Sequence, residues 1–478
     1  MKLNILLLFF IILFITGCRN NQKEQEKLPN IVFILADDMG YGDPGCYNAE
    51  SKISTPNIDK LADEGIMFTD AHSPGVWCVP SRYGLMTGCY PGRIDLNWRQ
   101  RALIADNQET LATLLKRHGY STAVIGKWHL GFNNINWENP SKINELEGSP
   151  VEKGFDYFFG MHASLDIPPY FYIENNKVVE PVTDSVPDNS SVDATTPISG
   201  AFWRGGACSP NFKHADVLDV FTRKAKSFIN EQKEKPFFLY FALPAPHTPW
   251  LPKAEFVGQS GAGEYGDYVM QVDNVVGEII KVLEEKGMRN NTLVFFSSDN
   301  GPVWFERDVQ KFAHDASGGL KGMKIDLWEG GSRIPFIATW PGKIMENVKS
   351  DKLICFTDMM ATFAELTNDT LFSTNQFDSY SILPLLINND SKERIREELV
   401  IEDRIYRQGE WKYIDGTGLG GLTRRHDPDK VYLDEANNEG ELYNLSNDLS
   451  EQNNLYEEGH EKVILLKKKL RNTLNNEN

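Results

Sequence analysis

Ile31-Val32-Phe33-Ile34-Leu35-Ala36-Asp37-Asp38 is an unbroken apolar run that stops on two carboxylates. Continuous apolarity without polar alternation marks a strand covered on both faces, the situation of a parallel sheet between helical layers. Two adjacent acids directly after such a strand are costly to bury unless positive charge lies between them. A hard divalent cation, Ca²⁺ or Mg²⁺, meets that need through oxygen ligands. The pattern recurs along the chain. A strand at 121–125 leads into Gly126-Lys127-Trp128-His129, one at 237–242 into Pro246-His247, and one at 292–296 into Ser297-Ser298-Asp299-Asn300. In an open α/β sheet the site lies beyond the carboxyl ends of the strands, so Asp37, Asp38, Lys127, His129, His247, Asp299 and Asn300 are expected to converge there.

The rest of the chain fits an α/β reading. Helices are expected at 55–65, 110–118, 216–232, 265–286 and 358–366, with a further strand at 335–340. The stretch 133–209 is rich in Pro, Asn, Asp and aromatic residues and reads as a loop-built rim around the pocket. Beyond Asn388 the pattern changes to short strands at 399–402, 410–414, 431–433 and 441–445 and an amphipathic helix at 461–474. At 478 residues, one large domain (29–388) with a small antiparallel α+β companion (389–478) is expected.

At the N-terminus, Lys2 precedes an apolar run from Ile5 to Ile15, too short to span a bilayer but suited to a signal peptide (1–17). Ile15-Thr16-Gly17-Cys18 is similar to a bacterial lipobox, making Cys18 a lipidation site and 18–28 a polar tether. The expectation is export and a lipid anchor, with the protein periplasmic or on the cell surface. Cys46, Cys89, Cys208 and Cys355 leave three possible pairings, or free thiols. The net charge of −18 argues against nucleic-acid binding and leaves local basic groups to attract any anionic substrate.

Trp77-Cys78-Val79-Pro80-Ser81-Arg82-Tyr83-Gly84-Leu85-Met86-Thr87-Gly88 puts a cysteine at an expected helix N-terminus, where free N–H groups favour negative charge. This segment resembles the sulfatase signature Cys-x-Pro-Ser-Arg. The resemblance continues at Ala36-Asp37-Asp38, Gly126-Lys127-Trp128-His129, His247, Ser298-Asp299-Asn300-Gly301, Lys321-Gly322-Met323-Lys324, Glu329-Gly330-Gly331 and Glu441-Leu442-Tyr443-Asn444-Leu445. It implies an alkaline-phosphatase-like fold, a large mostly parallel mixed sheet sandwiched by helices, with a small C-terminal sheet and helix. It also implies that a formylglycine-generating or sulfatase-maturating enzyme converts Cys78 to formylglycine (3-oxoalanine). One divalent cation, usually Ca²⁺, is then held by Asp37, Asp38, Asp299, Asn300 and the modified Cys78.

By the same resemblance, one hydrate oxygen attacks the sulfur of a sulfate ester, and the second hydroxyl later loses its proton and expels sulfate. Arg82 stabilises the charged hydrate, His129 is the base for that elimination, and His247 is the acid for the leaving alcohol. Lys127 and Lys324 neutralise sulfate oxygens, while Lys321 is read as structural. A sulfated polysaccharide or glycosaminoglycan is the expected substrate, with Trp98, Arg99, Arg101, His162, Asp166, Trp203 and Arg204 as pocket candidates. The alternatives are a phosphodiester or phosphonate monoester hydrolase of the same superfamily and an inactive lipid-tethered glycan-binding protein. Asn300, where the former tend to carry His, and the undamaged motifs disfavour them.

Overall fold

The computed structural model describes residues 27–191, 195–370, 372–373, 376–387, 395–426 and 439–475. The signal peptide, Cys18, the strand expected at 431–433 and the boundary expected at 388 lie outside these residues. The principal elements of the large domain are β1 (Asn30–Asp37), α1 (Pro56–Asp63), β2 (Ile66–Phe68), α2 (Cys78–Thr87), α3 (Leu111–Arg117), β3 (Ser121–Lys127), β4 (Tyr157–Met161), α4 (Val217–Glu231), β5 (Phe237–Pro246), α5 (Gly263–Glu285), β6 (Thr292–Ser298), β7 (Phe336–Thr339), β8 (Val348–Ser350) and α6 (Asp358–Leu366). The small domain follows with β9 (Glu398–Ile401), β10 (Ile405–Gln408), β11 (Trp411–Asp415), β12 (Gly440–Asn444) and α7 (His460–Asn475).

Ten strands form the central sheet in the order β8-β2-β7-β6-β1-β5-β3-β4, completed by the short strands Ile173–Glu174 and Lys177–Val178. The five strands β6-β1-β5-β3-β4 are mutually parallel, and β7 turns antiparallel to β6. β1 shows why its sequence is apolar throughout. Ile31, Phe33 and Leu35 pack on one side with Val79 and Met86 of α2, Leu114 of α3 and Phe363 of α6. Val32, Ile34 and Ala36 pack on the other with Leu61 of α1, Phe221 of α4 and Val272 of α5. Successive side chains of a strand point to opposite faces, so a strand between two helical layers must be apolar at every position.

Within 133–209 the structure departs from the expected loop rim. Tyr157-Phe158-Phe159-Gly160-Met161 is strand β4, parallel to β3 with Gly160 level with Gly126. The two strands meet so closely that a Cβ on Gly160 would lie 1.9 Å from the Gly126 carbonyl oxygen. The aromatic run is thus a strand of the central sheet rather than part of a loop rim. Strand β10 likewise falls where a turn was expected. Cys46, Cys78, Cys89, Cys208 and Cys355 are all free, so none of the possible pairings forms among the described residues. No described helix is long and apolar enough to cross a membrane.

The small sheet runs β9-β10-β11-β12 and is covered by Val463, Leu466 and Leu470 of α7, spaced as one face of a helix. It docks through buried charge. Lys412 of β11 pairs with Glu329 at 3.0 Å and with Glu451 at 2.8 Å, all three side chains being buried. Lys321 also belongs to this contact, its Nζ donating to the Glu451 carbonyl oxygen at 3.1 Å and lying 4.3 Å from the Trp328 ring centre. Removing one partner of a buried ion pair costs about 3 kcal/mol or more, because the remaining charge is left uncompensated. Lys412→Ala is therefore expected to lower the urea unfolding midpoint clearly, and an unchanged midpoint would show that the pairing contributes nothing net.

Candidate active site

The parallel strands end on one side of the sheet, and their exits supply the charged groups. Asp37 is the last residue of β1 and Lys127 the last of β3; Asp299 and Asn300 follow β6, and His247 follows β5. Helix α2 begins at Cys78 after an extended Trp77 and ends at Gly88, whose φ of +68° is the left-handed conformation that glycine takes at little cost. The expected helix start at the cysteine is therefore where the structure has it. Asp38 has a φ of +66°, a left-handed turn that accompanies its exit from β1.

Arg82 joins helix α2 to two of these strand ends. Its Nε and Nη2 donate to Asp299 Oδ2 at 3.0 and 2.7 Å, and Nη1 donates to the Lys127 carbonyl oxygen at 3.0 Å. Lys127 Nζ lies 2.5 Å from Asp37 Oδ2, and Lys324 Nζ lies 2.7 Å from Asp38 Oδ1. Asn300 Nδ2 donates to the same Asp38 oxygen at 2.7 Å, and Asp299 Oδ1 accepts the Asp38 N–H at 3.2 Å. Burial alone would raise Asp37, but Lys127, His247, Arg82 and Lys324 together hold it well below the usual carboxylate range. Burial and the charge of Asp37 push Asp299 the other way, upward, against Arg82.

Burial pushes the Cys78 thiol up to about 11 in spite of Lys127 and Lys324. A thiolate nucleophile therefore does not fit this position at neutral pH, although the helix terminus by itself favours one. Burial, reinforced by Lys127 and Arg82, also holds His129 well below its ordinary range, so its ring is neutral. Both ring nitrogens of His129 are buried without a hydrogen-bond partner, and Trp98 packs edge-on against the ring at 4.5 Å. A neutral, unpartnered imidazole is equipped to accept a proton. His247 is oriented by a 2.7 Å bond from Nδ1 to the Thr248 carbonyl oxygen, which leaves Nε2 3.6 Å from Asp38 Oδ2.

The donor set fits a hard cation. Asp37 Oδ1 and Asn300 Oδ1 are both buried with no hydrogen-bond partner, as oxygen ligands of an ion would be. Asp37, Asp38, Cys78 and His247 offer ligand atoms that lie within 4.8 Å of one another. Cys78, Asp37 and Asp38 of the expected ligand set thus come together; Asp299 adjoins them with Oδ2 taken by Arg82, and His247 enters the cluster from outside that set. A second acidic cluster, Asp70, His72 and Glu329, is filled by the side chains of Arg333 and Arg407.

Beside the charged groups lies a cavity of about 340 Å³. Its walls include Cys78, His129, His247 and Lys324, the expected Trp98, Arg99, Asp166 and Arg204, and the unexpected Trp77, Ser164 and Ile325. Arg101 instead pairs with Asp95 in solvent, His162 is buried on the Pro169 carbonyl oxygen, and Trp203 stacks on His214, so these three do not line it. Behind the metal side, Asp43 accepts from Gly40 N–H at 2.6 Å, His314 Nε2 at 2.8 Å and the Tyr265 hydroxyl. No motif in the sequence points to this brace, because Tyr265 and His314 lie 222 and 271 positions from Asp43.

Fold and site together define an enzyme of the α/β class, with basic groups suited to an anionic ester and an acidic cluster that could hold a metal ion. Residues 29–369 match the model of the sulfatase family, and residues 324–478 match the C-terminal region of N-sulphoglucosamine sulphohydrolase. An N-acetylgalactosamine-6-O-sulfatase of Bacteroides thetaiotaomicron is 34% identical, covering 95% of each chain. The human N-acetylgalactosamine-6-sulfatase is 31% identical over 77% of this chain and 67% of its own length. A solved structure concerned with the metabolism of multiple glycosaminoglycans by Bacteroides thetaiotaomicron superposes with a TM-score of 0.80 at 32% identity, covering 94% of this chain and 100% of that one. The chain belongs to the sulfatase family and is an enzyme that hydrolyses sulfate esters.

Burial also holds His162 and His214 at about 4, against an ordinary 6.5, so both fold as neutral rings. As pH falls below about 6.5 the unfolded chain binds protons that the folded chain refuses, so this part of stability is present near neutrality and lost towards pH 4. His162→Phe is expected to flatten the acid limb of the stability profile by about one proton, or about 1.4 kcal/mol per pH unit between pH 6 and 4.5. Urea unfolding across that range measures it, and an unchanged slope would refute the buried neutral ring.

Proposed function

We propose that this sulfatase removes the 6-O-sulfate of an N-acetylgalactosamine residue of a sulfated glycosaminoglycan, with formylglycine at position 78 and Ca²⁺ as its cation. The observation that carries the sugar reading is Asp166. Its side chain is 10% exposed, its Oδ1 has no hydrogen-bond partner, and its Oδ2 is paired with Arg204 in the cavity wall. A carboxylate and a guanidinium side by side in a cavity wall suit a sugar hydroxyl, which donates to the one while its oxygen accepts from the other. The substrates named for the relatives at 34% and 31% identity support the choice of sugar and position.

The formylglycine hydrate would supply an oxygen nucleophile, and the cation, held by Asp37, Asp38, Asp299 and Asn300, would polarise the sulfate. The chain's own groups do the rest. Lys127 and Lys324 neutralise Asp37 and Asp38 and, with a dication held by those carboxylates, both ammonium groups would be available to the sulfate oxygens. His129, neutral, accepts the proton that must leave before sulfate departs. His247 Nε2 gives a proton to the sugar oxygen while Nδ1 keeps the ring oriented. Arg82 holds Asp299 and the end of β3, so the basic and acidic groups stay in register.

The all-oxygen character of the carboxylate and amide ligands supports Ca²⁺ over a transition metal. The N-terminal sequence supports export, lipidation at Cys18 and attachment of the protein to a membrane through that lipid alone, and Cys78-Val79-Pro80-Ser81-Arg82 supports recognition by a maturating enzyme.

Mass spectrometry of the Cys78 peptide from the native host is expected to show the aldehyde, and an unmodified thiol would sink the mechanism. Chelation should abolish turnover and Ca²⁺ should restore it; restoration by Zn²⁺ alone would reverse the metal choice. Among defined sulfated monosaccharides, N-acetylgalactosamine 6-sulfate should be cleaved fastest, and equal rates on the 4-sulfate would count against the reading. Asp166→Ala should lower kcat/KM on that sugar by about 10- to 100-fold, the worth of one hydrogen bond to a charged group, while leaving a small aryl sulfate within about threefold.

A further inference from the structure

The turn between β9 and β10 of the small sheet reaches back to the loop that carries the nucleophile. Glu402, in that turn, has a φ of +55°, uncommon for a side chain of its kind and retained where the surroundings fix it. It holds the nucleophile loop twice. Its backbone N–H donates to the Pro74 carbonyl oxygen at 3.0 Å, and its Oε1 accepts the Val76 N–H at 3.0 Å. The Val76 carbonyl oxygen accepts in turn from the Ile325 N–H at 2.8 Å. Val76 is thus bonded on one side to the small sheet and on the other to the turn bearing Lys324, two residues before Cys78. The fit leaves little slack. A Cβ on Gly92 would lie 2.4 Å from the Glu402 carbonyl oxygen, and one on Gly75 would lie 3.1 Å from its Oε1.

We propose that Glu402 is a positioning residue for the sulfatase reaction: through its bond to Val76 the C-terminal sheet sets where Trp77 and Cys78 stand relative to Lys324. The Glu402 carboxylate meets a neutral N–H, so the bond requires the reach of the side chain rather than its charge. Burial, aided by Asp403, pushes its carboxyl up to about 7 against the Val76 bond, which agrees with a group whose task survives protonation. Releasing Val76 would let the loop drift, and a displacement of about 1 Å in a reacting group can cost up to about 100-fold in rate. This places a requirement for catalysis in a domain that contributes no group to the chemistry, and it is independent of which sugar is cleaved.

Three variants of the full-length protein separate reach from charge: E402Q keeps the length without the charge, E402D keeps the charge without the length, and E402A keeps neither. For each, the fraction of converted Cys78 is measured by mass spectrometry, and kcat and KM on a small aryl sulfate are expressed per converted site. E402D and E402A are expected to lose about 10-fold in kcat with KM within about threefold, and E402Q to recover to within about threefold of the parent enzyme. If E402A does not fold, the E402D and E402Q pair carries the comparison. Full kcat in E402D with a lowered melting temperature would make Glu402 a merely structural residue. Equal impairment of E402Q and E402D would show that reach alone does not restore the site, and impairment of E402Q with E402D intact would make the charge, not the reach, the requirement; any of these results overturns the proposal.

Discussion

The site depends on one buried contact, the fork of Arg82 on Asp299. Arg82 stands in the first turns of α2 and Asp299 at the exit of β6, 217 positions later, and the third donor of the guanidinium reaches the end of β3. Neither charge is exposed to solvent, so the pair must be made in full or the remaining ion stays buried and uncompensated, at a cost of about 3–5 kcal/mol. Making it fixes the start of α2, and with it Cys78, against the carboxyl ends of two central strands. The planar guanidinium suits this task because its donors diverge in a fixed fork, which an ammonium could not reproduce.

Around that contact the charges come close to balance. Asp37, Asp38 and Asp299 face Arg82, Lys127 and Lys324, all buried. A set of this kind is not a source of stability by itself, since each ion has been taken out of water. Its organisation suits chemistry on an anion: three cations are gathered at the strand ends, and two oxygens, on Asp37 and Asn300, are buried without a donor, as ligands of a cation would be. Burial of the His129 ring, with Trp98 packed edge-on against it, and the charges of Lys127 and Arg82 keep that ring neutral. The small sheet closes the arrangement from outside, with Lys412 between Glu329 and Glu451 and with Glu402 on the nucleophile loop.

Much of this was legible in the chain because the informative residues sit immediately after apolar strands or in one short segment. Asp37, Lys127, His247 and Asp299 could be placed together without any contact being known, since strands of one parallel sheet end on one side. The same rule did not reveal β4, whose Tyr-Phe-Phe run has the composition of a surface aromatic patch as well as of a strand. Nor could it separate Trp98 and Asp166, which line the cavity, from His162 and Trp203, which lie behind it. The wall of a cavity is made by loops whose path no local pattern specifies.

By itself, then, the sequence determined the doubly covered parallel sheet, the helix start at Cys78 and the set of charged groups at the strand ends. These follow from periodicity, capping and the penalty for burying lone charge, all of which act within a few residues. Only the tertiary structure decided which of those groups pair, which oxygens are left without a donor, and that the C-terminal sheet grips the nucleophile loop through Glu402. Those outcomes depend on groups hundreds of positions apart meeting at about 3 Å, a distance set by packing of the whole fold rather than by any segment of the chain.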